Sequence, residues 1–399
     1  MNRPSLLHII ERLEGFLGKL PASIQKPVLH ELTPLKELFL QQRPPRFVLT
    51  GSNKLPVQEV IATLFAWLSP AESHDILMEL FRWQKIDLGG HGTIVLLDAR
   101  GADIGTIPNI QEELQQQPTD IFLHLADDAD LVRAPAREIA NLATLIASNG
   151  AARIEAKTIG VVIHDKAHAA RTIHNGETHP PTHVNTRSKL QSELQEKLEI
   201  RKHLLQIFEF SFIPAEAGDE AKTDAQRFMS LLARELPNEA RIEMVRIARD
   251  RAAQTEIAQM LVKSTTAVCT AIGAQPIPLA DLPILTALQL GMVSGIMYIS
   301  GREKSLRAAT EFVGALGVNV GAGMILREGT RAVLKFFPGW GNVVCGMVAG
   351  AGTYAIGRAA IVYLLEGASL KDARRAYLAN RKKRTQRRLP TAQRAESSK

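Results

Sequence analysis

Aromatic residues are scarce in this 399-residue chain, at 5% of the total, so Leu, Ile, Val and Ala must fill its cores. Cysteine is nearly absent. Cys269 and Cys345 both lie in apolar, Gly- or Ala-rich stretches and read as small buried hydrophobes in a reducing compartment. That excludes a disulfide scaffold. The N-terminus lacks an uninterrupted apolar core and a small-residue cleavage site, so no signal peptide is expected. No G-x-S-x-G is present, and no Ser/His/Asp set is evident. A P-loop is missing where one would be looked for. In "RFVLTGSNKLPVQEV", counting from Gly51, the last three places of G-x-x-x-x-G-K-[ST] hold Pro56, Val57 and Gln58.

What is present is unevenly distributed. The net charge is +7, yet from Lys371 to the end eleven Lys and Arg face only Asp372 and Glu396. That segment carries +9, which leaves −2 for the rest of the chain. A near-neutral body ends in a basic tail.

The chain divides into an N-terminal amphipathic helical segment (1–45), an α/β domain (46–218), a helical domain (219–370) and the tail (371–399). Apolar residues from Leu6 to Leu20 recur at helical spacing, and "QQRPPR" breaks the pattern. Short apolar runs then alternate with helix-like stretches. The strand candidates are Phe47–Leu49, Thr93–Leu97, Ile121–Leu125, Thr158–Ile163 and Phe208–Ile213, which predicts a mostly parallel sheet covered on both faces. Ligands in such sheets bind beyond the C-terminal strand ends, so "TGSNK", "DARG", "ADDADL", "HDKAH" and "PAEAG" are the stretches to watch. Asp127, Asp128 and Asp130 read as a solvated turn. Five histidines lie between His164 and His183, two pairs of them at i,i+4, but "HPPTH" cannot be helical through its prolines, and no metal site is assigned.

After Asp219 the strand signal stops. Residues 220–262 read as charged helices broken at "LPNEAR". Residues 282–301, Phe312–Leu326 and Phe336–Gly357 then carry no charge, at 15 to 22 residues each. A spanning helix needs about 20. Gly317/Gly321 and Gly346/Gly350 repeat the G-x-x-x-G spacing that lets helix backbones approach closely. Two readings stay open: a buried helical hairpin, or contact with a bilayer backed by the basic tail.

The strand-end stretches resemble a translation-factor-type, Ras-like GTPase that has decayed. Asp98 and Gly101 keep the D-x-x-G pattern, whose Asp in that family reaches magnesium through water. Asp165 and Lys166 stand in the N-K-x-D place with His168 as the final residue, and Ala215 remains from the fifth motif. The resemblance implies an α/β P-loop GTPase-like domain with Gly51, Ser52, Asn53, Lys54, Asp98, Gly101, Asp165, Lys166 and Ala215 as a vestigial nucleotide site. Val57 cannot neutralise phosphates, Gln58 is a poor magnesium ligand, Pro56 removes an N–H from the cradle, and Lys54 stands three places early.

Further on, "PIPLAD" (Pro276, Pro278, Asp281), "ALQLGM" and "TYAIGRAA" (Tyr354, Gly357, Arg358) resemble the uncharacterised C-terminal domain of YcjF-like bacterial inner-membrane proteins, over roughly residues 265–370. That resemblance implies an all-α domain with Gly-rich apolar helices and membrane association. Arg358 must then pair, with Asp281 a candidate, or reach the interface.

The expected function is a membrane-associated pseudo-GTPase scaffold or partner-binding protein, without cofactor, at the cytoplasmic face of a bacterial inner membrane; whether it is an enzyme stays open, with GTP hydrolysis the activity to look for and the missing P-loop Lys and Ser/Thr against it. Its expected partners are anionic lipids, met by Arg358, Arg381, Lys382, Lys383, Arg384, Arg387 and Arg388, and a protein; homo-oligomers are compatible and nucleic acid is disfavoured. The alternatives are a GTPase using GTP with Mg²⁺ through an unusual P-loop, coupled to membrane remodelling or stress response, and a soluble cytoplasmic adaptor whose tail binds polyanions.

Overall fold

The computed structural model describes residues 41–54, 56–65, 79–88, 91–126, 136–150, 155–164, 186–211, 219–274, 281–303, 305–316 and 341–388. The chain divides into two compact units, Arg43–Ala248 and a second unit containing Arg249–Lys399.

The first unit is built on a six-stranded sheet. Its strands are β1 (Arg46–Gly51), β2 (Trp83–Asp87), β3 (Thr93–Asp98), β4 (Ile121–Ala126), β5 (Lys157–His164) and β6 (Leu204–Ser211), in the order β2-β3-β1-β4-β5-β6. All neighbours are parallel except β2, which lies antiparallel to β3 at the edge. The helices are α1 (Val57–Leu64), α2 (Ile107–Gln116), α3 (Ala136–Gly150), α4 (Thr186–Glu196), α5 (Leu198–Arg201), α6 (Asp219–Glu235) and α7 (Asn238–Ala248).

The apolar runs form strands because both sheet faces are covered. Every residue of β4 is buried, and so is β1 apart from Arg46. On one face Val48, Leu97, Phe122 and Val162 pack in one cluster with Ile110 and Leu114 of α2, Leu142 and Leu145 of α3, and Leu190 and Leu194 of α4. Elsewhere Phe47 meets Phe65, just past α1, at 5.8 Å, and Phe228 of α6 packs edge-on against Phe208 and Phe210 at 5.3 and 5.5 Å. Asp120, just before β4, accepts two hydrogen bonds from the Arg43 guanidinium at 2.6 and 2.7 Å and fixes where the chain enters the sheet. The expected α/β class with a mostly parallel sheet is therefore what the structure contains.

The second unit is helical: α8 (Arg251–Gly273), α9 (Asp281–Ile299), α10 (Leu306–Ala315), α11 (Gly341–Leu364) and α12 (Leu370–Arg388). Asp250 caps α8 by accepting from the amides of Ala252 and Ala253, and Ser305 caps α10 through Ala308. One cluster joins Val262 and Ile272 of α8, Met292 and Ile296 of α9, Phe312 of α10, Ile356 and Ala360 of α11, and Ala373 and Tyr377 of α12. Three glycines on α11 are where it meets α8: a methyl at Gly346 would lie 2.7 Å from the Thr270 carbonyl, at Gly350 2.0 Å from Thr270 Oγ1, and at Gly357 2.5 Å from Val262. The Gly346/Gly350 pair thus makes the close approach its spacing predicts. Gly317/Gly321, the helix expected before residue 41, Pro276 and Pro278 lie outside the described residues.

Candidate crevice and helical surface

β1 connects through α1 and β2 to β3 on one side of itself, and β3 connects through α2 to β4 on the other. The chain changes direction across β1, so the crevice beyond the ends of β1, β3 and β4 is the place where a sheet of this kind takes a ligand. Gly51, Ser52, Asn53, Lys54, Asp98 and Gly101 converge there.

Their geometry is closed. Gly51 has φ 87°, and a methyl on it would lie 2.1 Å from the Leu125 carbonyl, so the turn runs hard against β4. The Ser52 amide donates to that same carbonyl at 2.9 Å and is thereby withdrawn from any phosphate cradle. The Asn53 side chain covers Gly101, which has φ 68°; a methyl there would sit 2.4 Å from Asn53 Nδ2. Lys54 is exposed on the turn.

Helix α1 begins at Val57, in the place of the P-loop lysine, but Val57 is buried with Val60, Ile61 and Leu64. Its side chain belongs to the core. The first turn carries Glu59, an anion at the helix end that would otherwise favour phosphate.

Asp98 is occupied by its own loop. Arg100 Nε donates to Asp98 Oδ1 at 2.8 Å, Arg100 Nη2 donates to Oδ2 at 2.8 Å, and the Arg100 amide adds a bond to Oδ1 at 3.2 Å. The two side chains are 5% and 3% exposed. A forked guanidinium satisfies both carboxylate oxygens in a site from which water is largely excluded. Among the described residues no group of three or more His, Cys, Asp or Glu could hold a metal ion.

Two groups at this end of the sheet were not singled out in the sequence. His124 of β4 is fully buried and shares a hydrogen bond with Thr50 Oγ1 at 3.0 Å, while its Nε2 has no hydrogen-bond partner among the described residues. Burial pushes its pKa down from 6.5 to about 4. Arg100 was visible as a charge inside "DARG", but nothing in the spacing says that it folds back. Asp165, Lys166, His168, Ala215 and the Asp127–Asp130 turn lie outside the described residues.

Among the described residues one helix is long and apolar enough to cross a membrane, Gly346–Leu364, and 56% of its apolar window is buried within the protein. Arg358 on this helix pairs with Glu366 at 3.0 Å, in the turn that follows. The side chain of Asp281, the partner that the sequence offers, lies outside the described residues. Cys269 is buried in α8, and burial raises its thiol pKa to about 12, so it behaves as a small apolar residue. Residues 371–388 of the expected tail belong to α12.

Over 132 residues the chain is 30% identical to magnetosome membrane protein 22 of Magnetospirillum gryphiswaldense. The match takes in 30% of this chain and 66% of that protein, just under two thirds of its length. No protein-family profile matches the chain. Neither the GTPase resemblance nor the YcjF-like one gains support from these comparisons.

Proposed function

We propose that the chain is a membrane-associated scaffold whose α/β unit keeps the frame of a GTPase-like domain but presents no site for GTP·Mg²⁺. The carrying observation is the Asp98–Arg100 pair: a metal or a γ-phosphate at this crevice would have to displace a buried, doubly hydrogen-bonded guanidinium. The buried Val57 and the bonded Ser52 amide support the same reading. So does the frame itself, a parallel sheet with one antiparallel edge strand and its crevice over β1. Membrane association is supported by the resemblance to a protein named as a membrane protein, by the apolar helix and by the basic α12.

Fractionation of native cells, followed by nucleotide analysis of the purified protein, tests both halves. The protein is expected in the membrane fraction and free of guanine nucleotide. Stoichiometric GTP or GDP would replace the scaffold reading with that of a GTPase, and recovery only in the soluble fraction would remove the membrane.

A further inference from the structure

Helix α11 is enclosed by protein on several sides. Gly346, Gly350 and Gly357 seat it on α8, and Gln289 of α9 donates to Thr353 Oγ1 at 2.9 Å. After the turn Leu365–Ser369, where Gly367 has φ 72°, α12 runs back along α11 and buries Ala373 and Tyr377 in the same cluster as Ile356, Ala360 and Leu364. The apolar window of α11 and the whole of α12 are each 19 residues, or about 28 Å of helix. Two helices matched in length and packed side by side go wherever either goes.

The sequence of α12 is LKDARRAYLANRKKRTQRR. A bilayer-crossing α11 would draw this helix and its cations into hydrocarbon, where each is costly and has no lipid partner at mid-depth. The exposed side of α12 has a different character. Lys371, Arg374, Arg375 and Leu378 fall at i, i+3, i+4 and i+7 and are all exposed, Leu378 at 51%. Asp372, on the same turn, accepts from Ser369 Oγ at 2.6 Å at the start of the helix and lies 3.4 Å from Arg375.

We infer that α11 does not span the bilayer in this fold, and that the chain meets the membrane peripherally, with the Lys371–Arg374–Arg375–Leu378 face of α12 lying on an anionic lipid surface. The inference rests on the membrane-associated reading above and specifies its mode. Cations on this face match anionic headgroups, and an exposed leucine among them can enter the acyl boundary. A nucleic-acid backbone would match the cations and leave the leucine without a role.

The test is co-sedimentation of the full chain with vesicles of phosphatidylcholine alone, or with added phosphatidylserine, across a salt series from about 0.1 M to 1 M, over which screening shortens from about 10 Å to 3 Å. Binding is expected to require phosphatidylserine, to be lost at high salt without detergent, and to fall at least tenfold in the variant K371E/R374E/R375E, whose folding is checked by circular dichroism. If that variant does not fold, the salt series on the wild-type chain decides alone. Binding that survives 1 M salt and yields only to detergent overturns the peripheral mode while leaving membrane association standing. No binding to either vesicle at low salt overturns both. Tight binding to random-sequence duplex DNA with indifference to vesicles overturns the lipid surface in favour of nucleic acid.

Discussion

Asp98 and Arg100 stand two residues apart and pair through both carboxylate oxygens, at 2.8 Å each. Asp98 was legible from the D-x-x-G pattern, because Gly101 marks the turn. The orientation of Arg100 was not, because it depends on burial that only the folded loop supplies. Arg100→Ala leaves a buried carboxylate uncompensated and is expected to cost about 3–5 kcal/mol in urea unfolding. Asp98→Asn together with Arg100→Gln should cost less than the two single changes summed. His124 gives a second expectation. Its folded pKa, about 4, lies below the unfolded value of 6.5, so the unfolded state takes the proton first. Stability is therefore intact above pH 6.5 and is lost as pH falls towards 4, by about 3 kcal/mol at about 1.4 kcal/mol per unit. The difference in unfolding free energy between the wild type and His124→Gln, followed from pH 7 to pH 4, should shrink through that window. A difference constant with pH would place the titration elsewhere.

At the scale of the element, the strands legible in the sequence are those that bury most of their apolar run. Phe47–Leu49, Thr93–Leu97, Ile121–Leu125 and Thr158–Ile163 sit within β1, β3, β4 and β5, and Phe208 lies within β6. β2, Trp83–Asp87, was not read, because an edge strand with only Ile86 buried leaves no apolar run to recognise. The break at "LPNEAR" falls between α6 and α7, where Pro237 precedes the first residue of α7. Along α11 the glycines divide by what they face. Gly346→Ala and Gly350→Ala would press a methyl onto the Thr270 carbonyl or hydroxyl, and each is expected to destabilise by about 1–3 kcal/mol. Gly352 has open space around it, and Gly352→Ala should gain about 0.5–1 kcal/mol from helix propensity alone. Thermal unfolding of the three variants side by side checks this; equal effects would mean that the α8–α11 contact does not depend on those two positions.

The whole chain joins an α/β unit, with the buried Asp98–Arg100 pair at its strand ends, to a helical unit that carries the basic α12. The sequence carried both signals, one as a strand end without the lysine and hydroxyl of a P-loop, the other as +9 gathered after residue 370. The enclosure of α11 was not in it, since an apolar run reads the same whether lipid or neighbouring helices cover it. Exclusion of GTP·Mg²⁺ from the β1–β3 strand ends is the central expectation. Isothermal titration of the full chain with a non-hydrolysable GTP analogue and Mg²⁺ tests that directly. No saturable heat is predicted in the micromolar range, with or without the metal. A low-micromolar affinity that requires magnesium would contradict the account.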